Sequence, residues 1–275
     1  MKRLLIMDRS KNHALDFFIK HTNYSPNQVS RIEPIHNGFT NLSYLIETSD
    51  QQKYQVRFAL NSELVNRVNE YQVITLLKND LFIYFDQATG DCIKKWIVGH
   101  EVDYFDQTRL EKLAKAIKKI HQVQVGNCSI LPIDYYKGIE NAKLATRHKR
   151  LYLSLINKYR DLPKHLTHSD LNAHNILVDE YNQIHLIDFE WSRINNAYFD
   201  LANMARESLS LEQAYYLVDC YGGLDLKIFN EFLIISCLFA LIWTYNMQQT
   251  DKIIAYRKDV EKRLAYYLES FVVNL

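Results

Sequence analysis

Between Thr167 and Trp191 the chain reads THSDLNAHNILVDEYNQIHLIDFEW, with Asp170, Asn175 and Asp188 set among short apolar runs. Three side-chain oxygen donors of this kind suit a hard cation such as Mg²⁺, which takes few protein ligands and keeps positions open for phosphate oxygens and water. Asp188 closes a run containing Ile184, Leu186 and Ile187, and Asn175 opens the run before it, NILV. A hairpin turning at DEYN would fold these two ends together, so that 13 positions in sequence become a short distance in space. Asp170 lies five residues before Asn175, on the loop that feeds the hairpin, where it can face a metal without binding it. Phosphoryl transfer uses that division of labour: metal ligands hold the phosphates while a separate carboxylate orients a hydroxyl and accepts its proton. Either aspartate alone reads as an ordinary turn-capping carboxylate. The specific signal is the combination H-x-D-x-x-x-x-N, hairpin, I-D-F.

The elements that must position these residues fall into two halves. A helix is expected at HALDFFIKHT, followed by a hairpin of LSYLIET and KYQVRFA about SDQQ. SELVNRVNEYQVITLLKN carries Leu64, Val68, Tyr71 and Ile74 at helical spacing, and LFIYFDQATGDCIKKWIVG gives two more strands about QATGD. From TRLEKLAKAIKKIHQV onward helix dominates, the quoted hairpin excepted. The expected fold is therefore α+β, with a small β-rich lobe over residues 1–96, a larger helical lobe over 97–275 and a cleft between them.

Composition narrows the function. The 48% hydrophobic content of the 275 residues is ample for a packed core, and 33 basic against 32 acidic residues leave a formal charge of +1, too little to favour nucleic acid. The basic runs RHKR and AIKKIH read as solvated surface. Cys92, Cys128, Cys220 and Cys237 lie far apart with no C-x-x-C pair, so neither a disulfide framework nor a zinc site is indicated. The apolar block FLIISCLFALIW is shorter than the ~20 residues that cross a bilayer and reads as a buried helix. A soluble, cytoplasmic protein with no membrane insertion is the expectation.

His168-Ser-Asp170-Leu-Asn-Ala-His-Asn175 and Ile187-Asp188-Phe189-Glu190 resemble the catalytic loop and metal-binding motif of the protein kinase-like small-molecule kinases, which include choline and ethanolamine kinases and aminoglycoside phosphotransferases. Glutamate after DF, and AYFDLANMARE shortly afterwards, are similar to choline/ethanolamine kinases in particular. In the first half, NGFTN resembles their nucleotide loop, Arg57 in YQVRFA stands where protein kinases carry lysine, and YFDQATGDCIKKWIVGHEV resembles the strand pair and hinge of bacterial choline kinases. The likeness runs from about residue 30 to about residue 247.

That resemblance implies a protein kinase-like bilobal fold using ATP and Mg²⁺, and it assigns roles. Asp170 would be the base, and Asn175 and Asp188 the Mg²⁺ ligands. Asn37, Gly38, Thr40 and Asn41 would meet the nucleotide through the loop, with Arg57 on its phosphates, Glu70 holding Arg57, and Trp96 and Ile97 at the hinge. A plain surface ion pair is the alternative for Arg57 and Glu70. His168 is expected to brace the loop and Asp200 to anchor it. A quaternary ammonium needs aromatic faces and nearby negative charge. Trp191, Trp243 and Tyr245 are the candidate rings and Glu190 and Glu207 the candidate acids, although Ala240 stands where eukaryotic choline kinases have a second tryptophan. The expected partner is thus a small amino alcohol, choline first. Ethanolamine, thiamine or an aminoglycoside is the alternative acceptor, and a nucleotide-binding scaffold without activity the alternative class.

Overall fold

A computed structural model describes residues 10–35, 41–60, 65–126 and 128–271. The chain divides into two compact units, Met1–Val98 and Gly99–Leu275, against the 96/97 boundary expected from composition.

In the first unit, helix α1 (Lys11–His21) precedes an antiparallel sheet of β1 (Val29–Ile35), β2 (Asn41–Thr48), β3 (Lys53–Ala59), β4 (Phe82–Phe85) and β5 (Cys92–Lys95), in the order β1-β2-β3-β5-β4. Alternation along β2 and β3 turns Tyr44, Ile46, Tyr54, Val56 and Phe58 into a core that receives Ala14 and Phe18 of α1. Helix α2 (Arg67–Leu76) starts later than the apolar spacing suggests, because the Asn66 side chain caps it by accepting from Asn69 N at 2.9 Å. Leu64 lies outside the described residues.

The second unit contains α3 (Gln107–His121), α4 (Thr146–Lys158), α5 (Ala197–Ser208), α6 (Leu211–Tyr221), α7 (Leu226–Asn246) and α8 (Asp251–Ser270). Its core joins Leu113 and Ile117 of α3 to Phe199 and Leu201 of α5 and to Phe229, Leu233 and Leu238 of α7. The hairpin over the quoted stretch forms as β8 (Ile176–Asp179) and β9 (Ile184–Leu186). It is not the only strand structure here, as the pattern suggested. β6 (Gly99–Glu101) adds to β8, and β7 (His165–Thr167) pairs with β10 (Arg193–Asn195). These strands have three residues each, too few for alternation to register.

Helix α7 is the buried helix expected at FLIISCLFALIW, but longer than that block. At 21 residues it is long and apolar enough to cross a membrane by length and composition, yet 67% of its most apolar window is buried inside the unit. Glu231, within it, is buried and bonded to Lys158 Nζ and Tyr159 OH, which is how a core helix accommodates a charge. All four cysteines are free thiols.

Phe18 is fully buried, with ring centroids 5.1 Å from Tyr54 and 5.5 Å from Tyr24. Phe18→Ala should lower the stability of the first unit by about 3–5 kcal/mol, read as a shift in its denaturant midpoint.

Candidate active site

Asn175 ends a short 3₁₀ turn (Ala173–Asn175) and leads into β8, while Asp188 follows β9 and starts a second one (Phe189–Trp191). The ladder pairs Ile176 with Leu186, and Ile187 N donates to Asn175 O at 3.0 Å, so the two ends lie side by side. Asp188 adopts φ 64° and ψ 69°, a left-handed conformation uncommon for a residue with a Cβ. The backbone thus turns sharply where the carboxylate is presented.

Asn175 also reaches Asp170. Its Nδ2 donates to Asp170 O at 2.8 Å and to Asp170 Oδ2 at 3.1 Å. With both amide protons spent on Asp170, Oδ1 of Asn175 accepts no hydrogen bond among the described residues and is left to another partner. Asp170 is partly open to solvent, and its pKa is pushed up to about 7, by burial first and then by the carboxylates of Asp188 and Glu207. Arg206 and the Asn175 amide act in the opposite direction. A surplus of negative charge therefore gathers around Asp170, Asn175 and Asp188.

Several elements hold the loop from His168 to Asn175. His168 is fully buried; its Nε2 donates to Ile187 O at 2.8 Å, tying the loop to the end of the hairpin. Ser169 has φ 66° and is fixed through its peptide, with N donating to Asp200 Oδ1 at 2.7 Å and O accepting from Asn203 Nδ2 at 2.9 Å. Asn172 folds back to donate to Asp170 O, and Ala173 N donates to Ser208 Oγ. Helix α5 therefore carries three of the loop's supports, Asp200, Asn203 and Ser208.

On the same helix Glu207 accepts from Arg206 Nη2 at 2.7 Å and from Tyr256 OH of α8 at 2.5 Å. Burial pushes the Glu207 carboxyl up, but the Arg206 guanidinium and the Tyr256 hydroxyl outweigh it and leave its pKa below the usual range. Trp243 is half-buried and meets Tyr256 edge-on, at 6.5 Å between centroids. Tyr245, two residues along α7, points elsewhere, since residues at i and i+2 do not share a helix face. The Arg257 guanidinium lies 4.0 Å from its ring centroid and already supplies that ring with a cation. Glu190 is buried and Trp191 half-buried on the turn after Asp188; among the described residues Trp191 makes no ring contact with Trp243.

In the first unit Arg57 Nη1 donates to Glu70 Oε1 and Arg67 Nη1 to Glu70 Oε2, both at 2.7 Å. All three residues are at most 3% exposed, so this is a buried pair and not a surface one. Arg57 Nη2 also donates to Gly90 O, and Arg67 Nη2 to Asn41 Oδ1 at 3.1 Å. Gly90 has φ +83°, and a Cβ there would come within 2.3 Å of the Arg67 side chain; glycine is what lets the β4–β5 turn approach the arginines. Trp96 is exposed and Ile97 half-buried after β5. Asn37, Gly38 and Thr40 lie outside the described residues.

Sequence reasoning missed Arg67, Asn203, Arg206 and Tyr256. Arg206 immediately precedes a residue that was singled out, and Arg67 sits one helical turn before Glu70; both were legible as i,i+3 or adjacent partners of a carboxylate. Tyr256 carried no signal among 19 tyrosines.

Comparison with known proteins places this arrangement. The profile of the phosphotransferase enzyme family matches residues 31–223. The chain is 40% identical over 271 residues to the Mycoplasma pneumoniae protein named uncharacterized protein MG356 homolog, covering 96% of each. Its fold is similar to that of choline kinase LicA from Streptococcus pneumoniae, with a TM-score of 0.75 at 21% identity over 92% of this chain and 99% of the other. It is similar also to an ethanolamine kinase from Plasmodium vivax, with a TM-score of 0.72 at 19% identity over 94% and 86%. The likenesses in structure fix a protein kinase-like fold, and the match across most of its length means that this chain belongs to the phosphotransferase enzyme family.

Proposed function

We propose that the protein is an ATP-dependent kinase that transfers the γ-phosphate to the hydroxyl of choline, giving phosphocholine. The observation that carries this reading is the junction at the base of the β8–β9 hairpin, where Asn175 hydrogen-bonds Asp170 and lies opposite the residue before Asp188. Asn175 Oδ1 and the Asp188 carboxylate are oxygen donors that fit Mg²⁺, and the negative surplus that raises the Asp170 pKa favours a cation at this place. When bound, Mg²⁺ would neutralise charge on the phosphates.

The remaining work falls to the chain. Asp170 accepts the hydrogen bond of the acceptor hydroxyl and takes its proton as the bond to phosphorus forms; because the transition state is loose, aiming the hydroxyl counts for more than early deprotonation. Arg57, held by Glu70, supplies a guanidinium to the nucleotide phosphates. Asn37, Gly38, Thr40 and Asn41 line the nucleotide in this reading, with Trp96 and Ile97 beside it. Trp243 offers a π face and Glu207 a negative charge to the ammonium, with Glu190 and Trp191 as further candidates and Tyr245 the weakest. A cytoplasmic location accompanies this reading, since ATP is supplied there.

Ethanolamine is the second reading, and two observations favour it. Glu207 is already partly neutralised by Arg206, and Ala240 supplies no second indole beside Trp243. A primary ammonium can donate hydrogen bonds to carboxylates and needs fewer aromatic faces than a quaternary one.

Purified protein with Mg-ATP should release ADP with choline and yield phosphocholine. Consumption of ethanolamine or thiamine but not choline would reject the acceptor and keep the kinase; Mg-ATP binding without turnover of any alcohol or aminoglycoside would reject catalysis. Asp170→Asn should lower kcat by about 10²–10⁴-fold with little change in either KM, measured by steady-state ADP release. Trp243→Ala should raise KM for the acceptor about 5- to 30-fold and leave KM for ATP unchanged, as the loss of one cation–π face predicts. Equal effects on both KM values would remove Trp243 from the acceptor site.

A further inference from the structure

Charge is spread unevenly along the chain. Residues 137–164 hold eight of the 33 basic side chains and two of the 32 acidic ones, so they carry +6 while the rest of the chain carries −5. Most of the excess lies on or just before α4, whose 13 residues, TRHKRLYLSLINK, include no Asp or Glu. Leu151, Tyr152, Leu155 and Ile156 turn into the core, and the opposite side presents Arg147, Arg150, Ser154, Asn157 and Lys158 to solvent. Lys158 is committed to Glu231 and Arg160 to Asp161. Among the described residues Lys137, Lys143, Arg147, Lys149 and Arg150 have no carboxylate partner.

This placement works against the helix. Its N-cap is Ala145, which offers no side-chain acceptor, and no acid stands in its first turn. A helix N-terminus carries partial positive charge, so the run RHKR, expected only to be solvated, repels the helix end as well as itself. His148 lies in the same field: burial first, and then the Arg147 charge, lower its pKa. Glutamate at either exposed arginine would suit the helix better, and an external anion supplies what these positions withhold. Tyr136, 53% exposed, donates its hydroxyl to Asn157 Oδ1 at 3.0 Å and so lies against the outward side of α4. A ring with a polar end is the kind of side chain that settles among lipid headgroups.

We propose that the outward side of α4, with Lys137 and Lys143 before it, is the surface by which the protein lies against a bilayer carrying anionic headgroups, held by charge and released by salt. A membrane meets one face of a protein, and beyond about 8 Å salt screens the acidic remainder from it. A long polynucleotide would run past the helix, about 20 Å in length, onto a remainder of its own sign. The apolar side of α4 is committed to the core, so the contact is peripheral and nothing inserts. It does not depend on which alcohol is phosphorylated.

The test sediments the full-length protein with vesicles of phosphatidylcholine, with and without about one third phosphatidylglycerol. The protein should pellet with the anionic vesicles only, and its affinity should fall about 10-fold or more between about 0.05 and 0.2 M salt. Arg147→Gln with Arg150→Gln should weaken binding about 25-fold, roughly five-fold for each cation withdrawn from the surface. The denaturant midpoint of that variant should equal or exceed the parent's, because both side chains are exposed and oppose the helix end. Lys115→Gln with Lys119→Gln, exposed on α3, removes the same charge and should leave binding within about two-fold. If the arginine variant does not fold, Lys143→Gln with Lys149→Gln decides by the same readout. No pelleting with anionic vesicles at low salt, equal pelleting with neutral ones, or a loss no larger in the α4 variant than in the α3 variant overturns the proposal. Tighter binding of a single-stranded oligonucleotide than of the anionic vesicles at the same salt also overturns it and makes the face a nucleic-acid surface.

Discussion

The site depends on one backbone contact. Ile187 N–H donating to Asn175 O closes the base of the β8–β9 ribbon and brings an amide and a carboxylate from 13 positions apart to one place. A ribbon of two short strands is marginal by itself. Here β6 widens it to three strands, and His168 bonds the carbonyl of Ile187, so the rest of the unit supports the ribbon from both edges. Helix α5 then does for the loop what β6 does for the ribbon. Its Asp200, Asn203 and Ser208 occupy the loop's backbone groups before any ligand arrives.

Buried charge is shared differently within each unit. Around Asp170 the acids Asp188 and Glu207 outnumber the one guanidinium, Arg206, and the raised Asp170 pKa is the mark of that imbalance. In the first unit Glu70 is shared by two guanidinium groups, Arg57 on Oε1 and Arg67 on Oε2. Both groups lie where burial makes charge expensive.

How much of this was legible in the sequence follows from the range of the interactions. Asp170, Asn175 and Asp188 could be read together because the hairpin between them is local and its alternation sets its register. Arg57 and Glu70 were readable as candidates, but Arg67 as the other claimant on Glu70 was not, since nothing in the spacing says how a carboxylate is divided. Tyr256 comes from an element far away in the chain and has no motif, so only the packing of α8 brings it to Glu207. The three-residue strands β6, β7 and β10 were missed because so short a segment has no period to detect. The full length of α7 was missed because its polar ends, with Glu231 near the first and Thr244 near the last, interrupt the apolar block that marks its middle.

Two residues of the candidate site, Ser169 and Asp188, sit in a backbone region that glycine occupies without penalty. A laboratory selection for heat resistance alone, blind to turnover, would therefore pull position 169 toward glycine, and position 188 as well. The enzyme that emerged would be sturdier and slower, and those two positions would record how much robustness the natural chain forgoes to keep its working parts aimed.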